Sequence, residues 1–210
     1  PARATRTTAP AAEREAPFAV LTDASGRPSI VRAREDAEAP DLAHASLLDA
    51  ARTHLRAVAG TYGLSGADIA KLVHRDTLAP RPEGARIVRF AQRVDATPIL
   101  GREVAVVMDA RNRLVAVTGR LTPSSVLARG RLALERTRVS EGDAVTQAHA
   151  LASGGAGSIV DARTQRVLVE TDGVLSPVHQ VELEVSGVPL EDAHLVAFIS
   201  AVDGTLVRAQ

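Results

Sequence analysis

Polar and apolar residues alternate along Arg86-Ile87-Val88-Arg89-Phe90-Ala91-Gln92-Arg93-Val94, the two-residue period of a strand with one buried face. The pattern returns over 103–109 and 113–121, with Asp109-Ala110-Arg111-Asn112 as the turn between them, which predicts an antiparallel meander. Two shorter strands are expected earlier, over 18–22 and 29–33, joined by Asp23-Ala24-Ser25-Gly26. Between these groups the period changes. Leu47, Leu48, Ala51, Leu55, Val58, Ala59 and Tyr62 recur at three- and four-residue steps, predicting a helix over 41–62. Asp41 is placed to cap its first free N–H groups, and Gly60 and Gly63 give it places to stop. The meander is expected to lay one face on this helix. A shorter helical piece is expected around 67–73, and Pro80-Arg81-Pro82-Glu83-Gly84 reads as a loop.

After a partly helical transition over 123–138, Ser140-Glu141-Gly142-Asp143 fits a capping box: the serine oxygen accepts from the third residue's N–H and the aspartate reaches back. The helix it opens should run to about Ala152 and end at Gly154-Gly155-Ala156-Gly157. Strands are then expected over 166–170, 178–185 and 194–200, followed by an Asp203-Gly204 turn and a short strand over 205–208. Residues 1–17 are rich in Ala, Thr, Pro and Arg, lack a period, and read as a flexible arm. Helix plus meander thus occurs twice in unequal lengths. The expected fold class is α+β with two subdomains, each a helix packed on an antiparallel sheet, over 18–124 and 138–210, with 125–137 as a linker.

Composition narrows the chemistry. The 210 residues are 45% hydrophobic, enough for a core built mostly from Ala, Val and Leu. Cysteine is absent, which removes disulfides, thiolate metal sites and cysteine nucleophiles together. Phe18, Tyr62, Phe90 and Phe198 are the aromatics, too few to stack bases or sugars. No apolar run of about 18 residues occurs, so no helical membrane span is predicted. Charges cancel, 25 Lys and Arg against 25 Asp and Glu, which argues against a strongly basic nucleic-acid binder. The balance hides a polarity: residues 1–139 carry 22 basic and 15 acidic side chains, and residues 140–210 carry 3 and 10. Opposite fields on two segments can dock on each other or on a partner.

Each candidate catalytic pattern fails on spacing. A zinc peptidase helix needs H-E-x-x-H, and neither His44-Ala45-Ser46-Leu47-Leu48 nor His54-Leu55-Arg56-Ala57-Val58 supplies it. On the predicted helix His44 and His54 lie ten residues apart, about 280° round, and do not share a face. His74, His149, His179 and His194 show no cluster with carboxylates. Gly154-Gly155-Ala156-Gly157-Ser158 follows a predicted helix and precedes a strand, the reverse of a phosphate-binding loop, and has no lysine. No G-x-S-x-G elbow is present. The stretch 81–139 holds 12 Arg against 5 acids, which reads as a solvated face able to dock an acidic partner. From residue chemistry alone the chain is a non-catalytic α+β protein.

One longer pattern points further. Phe90-x-Gln92, Pro98-Ile99-Leu100-Gly101, Glu103-Val104-Ala105-Val106-Val107 and Arg113-Leu114-Val115-Ala116-Val117-Thr118-Gly119 together resemble the fungalysin/thermolysin propeptide motif. The upstream helix ending in Gly60-Thr61-Tyr62-Gly63-Leu64 sits where that family has one. Residues 138–210 resemble the PepSY segment of the same propeptides, from Ser140-Glu141-Gly142-Asp143-Ala144-Val145 to Phe198-Ile199-Ser200-Ala201-Val202-Asp203-Gly204-Thr205-Leu206-Val207-Arg208. The chain departs from the pattern at Ser200, where Asp is usual, and at Asp95, near the usual Gly.

The resemblance implies the proregion of a secreted zinc metallopeptidase, fungalysin-type rather than thermolysin-type. Such a proregion assists folding of the catalytic domain and covers its cleft until cleaved. The implied partner is the cognate catalytic domain, where the zinc resides. No cofactor is expected in this chain, and no nucleic acid, membrane or small-molecule substrate. A periplasmic or extracellular location with a removed signal peptide is expected, with the gene continuing into an H-E-x-x-H helix. The alternative is a free-standing secreted peptidase inhibitor or binding module of the same fold. Phe90, Gln92, Pro98, Gly101, Gly119, Asp203 and Gly204 are expected as scaffold residues, and His179 and Arg208 as partner contacts.

Overall fold

The computed structural model describes residues 17–34, 40–79, 81, 83–153, 157–187 and 193–209. The expected arm lies outside them up to residue 16, as do residues 154–156 of the glycine run and both prolines of the 80–84 loop. The chain mixes helix and strand, and its strands join one ten-stranded sheet. They are β1 (Phe18–Thr22), β2 (Pro28–Ala33), β3 (Val73–Leu78), β4 (Arg86–Val94), β5 (Thr97–Met108), β6 (Leu114–Gly119), β7 (Ser158–Thr171), β8 (Val174–Ser186), β9 (Ala193–Ser200) and β10 (Leu206–Ala209). The helices are α1 (Leu47–Val58), α2 (Gly66–Ala70), α3 (Ser124–Leu134) and α4 (Glu141–Ser153). The ladder runs β1-β2-β6-β5-β7-β8-β9-β10, with β4 also on β5 and β3 on β4. Every pairing is antiparallel except that of β5 with β7.

β5 makes the sheet continuous. One of its edges pairs with β4, and the other serves β6 from Val104 to Met108 and then β7 at Ile99. To change neighbours the strand bends. Ala91 pairs with Glu103 while Arg93 pairs with Pro98, so residues 99–102 have only Gln92 across from them. Gly101 takes φ +67° in this bulge, the left-handed region that glycine enters without a Cβ penalty. Gly119, at φ +115°, lets the end of β6 close on β5: a Cβ there would stand 2.2 Å from the Glu103 carbonyl oxygen.

Alternation places the cores. Val88, Phe90, Val104, Val106, Met108 and Val117 point from the strands at Ala51, Leu55 and Val58 of α1. Tyr62 joins this cluster 3% exposed; its hydroxyl has no hydrogen-bond partner among the described residues, and burial pushes the phenol up to about 12. At the other end α4 lays Ala144 and Ala148 on Val181, Leu183, Val185, Ala197 and Ile199; side chains this small bring the helix axis close to the sheet. α3 covers the bend, with Val126 against Val94, Ile99, Leu168 and Leu175. Residues 125–137, expected as a linker, therefore include a packed helix, and a Cβ on Gly130 would meet Leu175 at 2.7 Å.

Several boundaries differ from the sequence reading for local reasons. α1 starts at Leu47, not 41, because the Ser46 hydroxyl accepts from the Asp49 N–H at 3.1 Å. Asp41 instead accepts from the Ala43 N–H in the preceding turn, which leaves His44 outside the helix. The piece at 67–73 is the one-turn α2, with a Ser65–Asp68 capping box, followed by β3, an edge strand with mostly exposed side chains and no alternation to read. β7 starts at Ser158 rather than 166 for the same reason. The Ser140–Asp143 capping box is present as expected.

The two motif glycines should differ in tolerance. Gly101→Ala meets no atom within 4 Å and should lose about 1 kcal/mol from its positive φ alone. Gly119→Ala adds the clash with Glu103 and should lose about 3 kcal/mol or more. Urea unfolding of the two variants checks the ranking; equal losses would be inconsistent with it.

Candidate functional site

One of the motif residues, Gln92, connects through Thr122 to a buried carboxylate. Gln92, 3% exposed, sits where β4 bulges, and its side chain behaves as a piece of strand: Nε2 donates to the Thr122 carbonyl at 2.9 Å and Oε1 accepts from the Thr122 N–H at 2.7 Å. The Thr122 hydroxyl in turn donates to Glu170 Oε2 at 2.6 Å. Arg102 Nε reaches the same oxygen at 3.0 Å, and Arg27 from the β1–β2 hairpin donates to Oε1. The Glu170 side chain is 1% exposed. Burial alone would raise its carboxyl, but the bonds from Thr122, Arg27 and Arg102 outweigh it and hold the group below the usual carboxylate range.

Phe90 is fully buried, with its ring edge-on to His74 at 6.2 Å between centroids. Pro98, half-buried, is opposite Arg93 at the start of β5. Gly101 and Gly119 shape the bend from the other side. Asp203 and Gly204 lie far from it in sequence, in the β9–β10 turn: Asp203 Oδ1 accepts from the Thr205 N–H and hydroxyl, Gly204 takes φ +78°, and the Gly204 N–H donates to the Ser200 carbonyl. Ser200 gives that turn its own cap, since its hydroxyl accepts from the Val202 and Asp203 N–H groups. Hydrogen bonding by Ser200 first, then Thr205, holds the Asp203 carboxyl below its ordinary value.

His179, expected as a partner contact, is 2% exposed; its Nε2 donates to the Val139 carbonyl at 2.9 Å and ties β8 to the entry of α4. Its place on β8, on the face that α4 covers, accounts for this. Arg208 is exposed on β10. His54 is another packing histidine, donating to the Asn112 carbonyl at 2.7 Å. Asn112 is a hub the sequence reading took for a plain turn residue. At φ +59° and 1% exposed, it donates from Nδ2 to the carbonyls of Leu42 and Ala45, and accepts from Arg86.

An open cleft of about 550 Å³ adjoins the bend between α2, α3 and the β4–β5 turn, lined by Asp68, Lys71, Arg93, Asp95, Ser124 and Arg131 among others. Asp95 stands at φ +52°, where glycine would be unstrained, and its carboxylate pairs with Arg131 at 2.9 and 3.3 Å. That pair ties α3 to the turn. Asp68 accepts from the hydroxyls of Ser65 and Ser124, at 2.6 and 2.5 Å. Lys71 and Arg93 leave the rim cationic. The charged side chains of the lining carry both signs, Lys71, Arg93 and Arg131 beside Asp68 and Asp95. Among the described residues, no group of three or more His, Asp or Glu is placed to hold a metal, and no helix is long and apolar enough to cross a membrane.

A scan against protein-family models finds no match to this chain, and a search of curated proteins finds none either.

Two substitutions test the junction. Glu170→Ala leaves Arg27 and Arg102 without their shared carboxylate and should cost about 3 kcal/mol. Because the folded carboxyl lies below its usual value of 4.5, this stability is complete above that pH and is lost as pH falls through the folded value. Unfolding from pH 7 to 3 should thus show a shallower acid limb in Glu170→Ala than in the natural chain. Gln92→Ala strands the Thr122 N–H and carbonyl and should cost about 2–4 kcal/mol in the same assay.

Proposed function

We propose that this chain is the non-catalytic proregion of a secreted zinc metallopeptidase, assisting the folding of the catalytic domain and covering its cleft until cleavage. One observation supports the reading: five residues of the first stretch of the propeptide resemblance serve a single local structure. Phe90, Gln92, Pro98, Gly101 and Gly119 lie on or against the bend of β5. Each answers a backbone or packing need, a positive φ, an unpaired N–H and carbonyl, or a buried plug, and none is presented as a reacting group. A motif with that character specifies a surface rather than a reaction.

In this reading 18–124 and 138–210 are two subdomains, each a helix on antiparallel strands, with α1 serving the first and α4 the second. The first carries the excess of arginine and the second the excess of carboxylates. Opposite fields on one inhibitor orient it on approach and speed association more than they strengthen the final complex. The partner is the cognate catalytic domain, the zinc belongs to that domain, and the pair works in the periplasm or outside the cell.

The deciding experiment mixes the full chain with a fungalysin- or thermolysin-type catalytic domain and follows peptidase activity and refolding yield. Inhibition, a higher refolding yield, and association that slows as salt rises from 0.05 to about 0.5 M are the expected results. An activity and a refolding yield both untouched by excess chain would remove the proposal.

A further inference from the structure

β7 has an open edge. It pairs with β8 along its full length, from Ser158–Ser186 to Thr171–Val174. On its other side the one recorded partner is β5, at Leu168, so residues 158–166 offer an unpaired row of backbone groups among the described residues. All but Thr164 are exposed in this segment, with Ile159 42% and Val160 59% exposed. Open apolar edges recruit further strands unless charge, proline or a bulge prevents it. Here no proline intervenes, and residues 161–166 run in regular register beyond a bulge at Val160.

The charges on this edge select a partner. Asp161 lies directly opposite Glu184 of β8, a like-charge cross-strand pair, and Arg163 lies opposite Glu182. Asp161 and Arg163 share one face, contact each other at 3.3 Å, and are 55% and 78% exposed. A second copy running antiparallel and centred on Ala162 puts Arg163 of the copy across from Asp161, and Asp161 of the copy across from Arg163. Shifting the centre by one residue, to 161 or 163, places Asp161 or Arg163 opposite itself. The strand is self-complementary in one register and repulsive in its two neighbours.

We propose that the β7 edge pairs with the β7 edge of a second copy of this chain, about a two-fold axis at Ala162, to give a continuous sheet across the dimer. The copy's arginine relieves the repulsion of Asp161 by Glu184, and Ile159 and Val160 are shielded at the ends of the new ladder. The contact is a single strand pair, which places it among weak, concentration-dependent associations.

Sedimentation equilibrium of the full chain at low salt reads it directly. The natural chain should self-associate. Asp161→Arg and Arg163→Asp, each alone, set like charges against each other twice and should weaken the dimer about tenfold. An equimolar mixture of the two variants places opposite charges at both contacts and should recover the dimer, as should the double variant alone. Circular dichroism of both single variants should match the natural chain, since the side chains are exposed. A natural chain that stays monomeric at millimolar concentration overturns the proposal. Single variants that dimerise like the natural chain, or a mixture that fails to recover, overturn it equally.

Discussion

The Glu170 carboxylate accepts from three groups that lie 48, 68 and 143 residues away along the chain: Thr122, Arg102 and Arg27. A charge buried this deeply is costly unless paired and fully hydrogen-bonded, and these donors meet that condition. Compared with an apolar replacement of the whole cluster, such a junction adds little net stability. Its effect is directional. The β1–β2 hairpin, the bend of β5 and the far strand β7 must each present a donor or the acceptor at one point, and few relative placements satisfy all three.

The bend itself works by substitution of one group for another. Where β4 and β5 part, a side-chain amide takes the place of the missing backbone: Gln92 gives Thr122 the N–H and carbonyl partners a neighbouring strand would have given. That places the Thr122 hydroxyl on Glu170, so the bulge and the junction are consecutive links. Gly101 enters its positive φ without a Cβ penalty, and Gly119 adds the clearance that β6 needs to close on the Glu103 carbonyl. α3 then seals the seam with apolar contacts and with the Asp95–Arg131 pair.

Local signals were legible in the sequence and distant ones were not. Alternation located β4 to within its ends, and serine–aspartate capping pairs mark α1, α2 and α4, the last of them recognised from spacing alone. Competition between two caps was misjudged, because Asp41 and Ser46 both suit a helix start and only the apolar period that begins at Leu47 decides between them. β3 and the first half of β7 expose their side chains on an edge, so no burial imposes a pattern on them. Glu170 closes an apolar run, Val167-Leu168-Val169, which marks it as unusual. Its partners follow from topology and could not be read from spacing. The mixture of helices and antiparallel strands was anticipated; the strand β5 that joins all of them in one ten-stranded sheet was not.

Tyr62 has an optical consequence. The chain has one tyrosine and no tryptophan, and that tyrosine is packed in the cluster under α1, a different cluster from the one under α4. Near-ultraviolet absorbance and intrinsic emission therefore watch one end of the sheet, while backbone dichroism watches both. Any melting in which the two signals part company locates itself: loss of dichroism before the tyrosine signal is the α4 end opening first, and the reverse order is the α1 end.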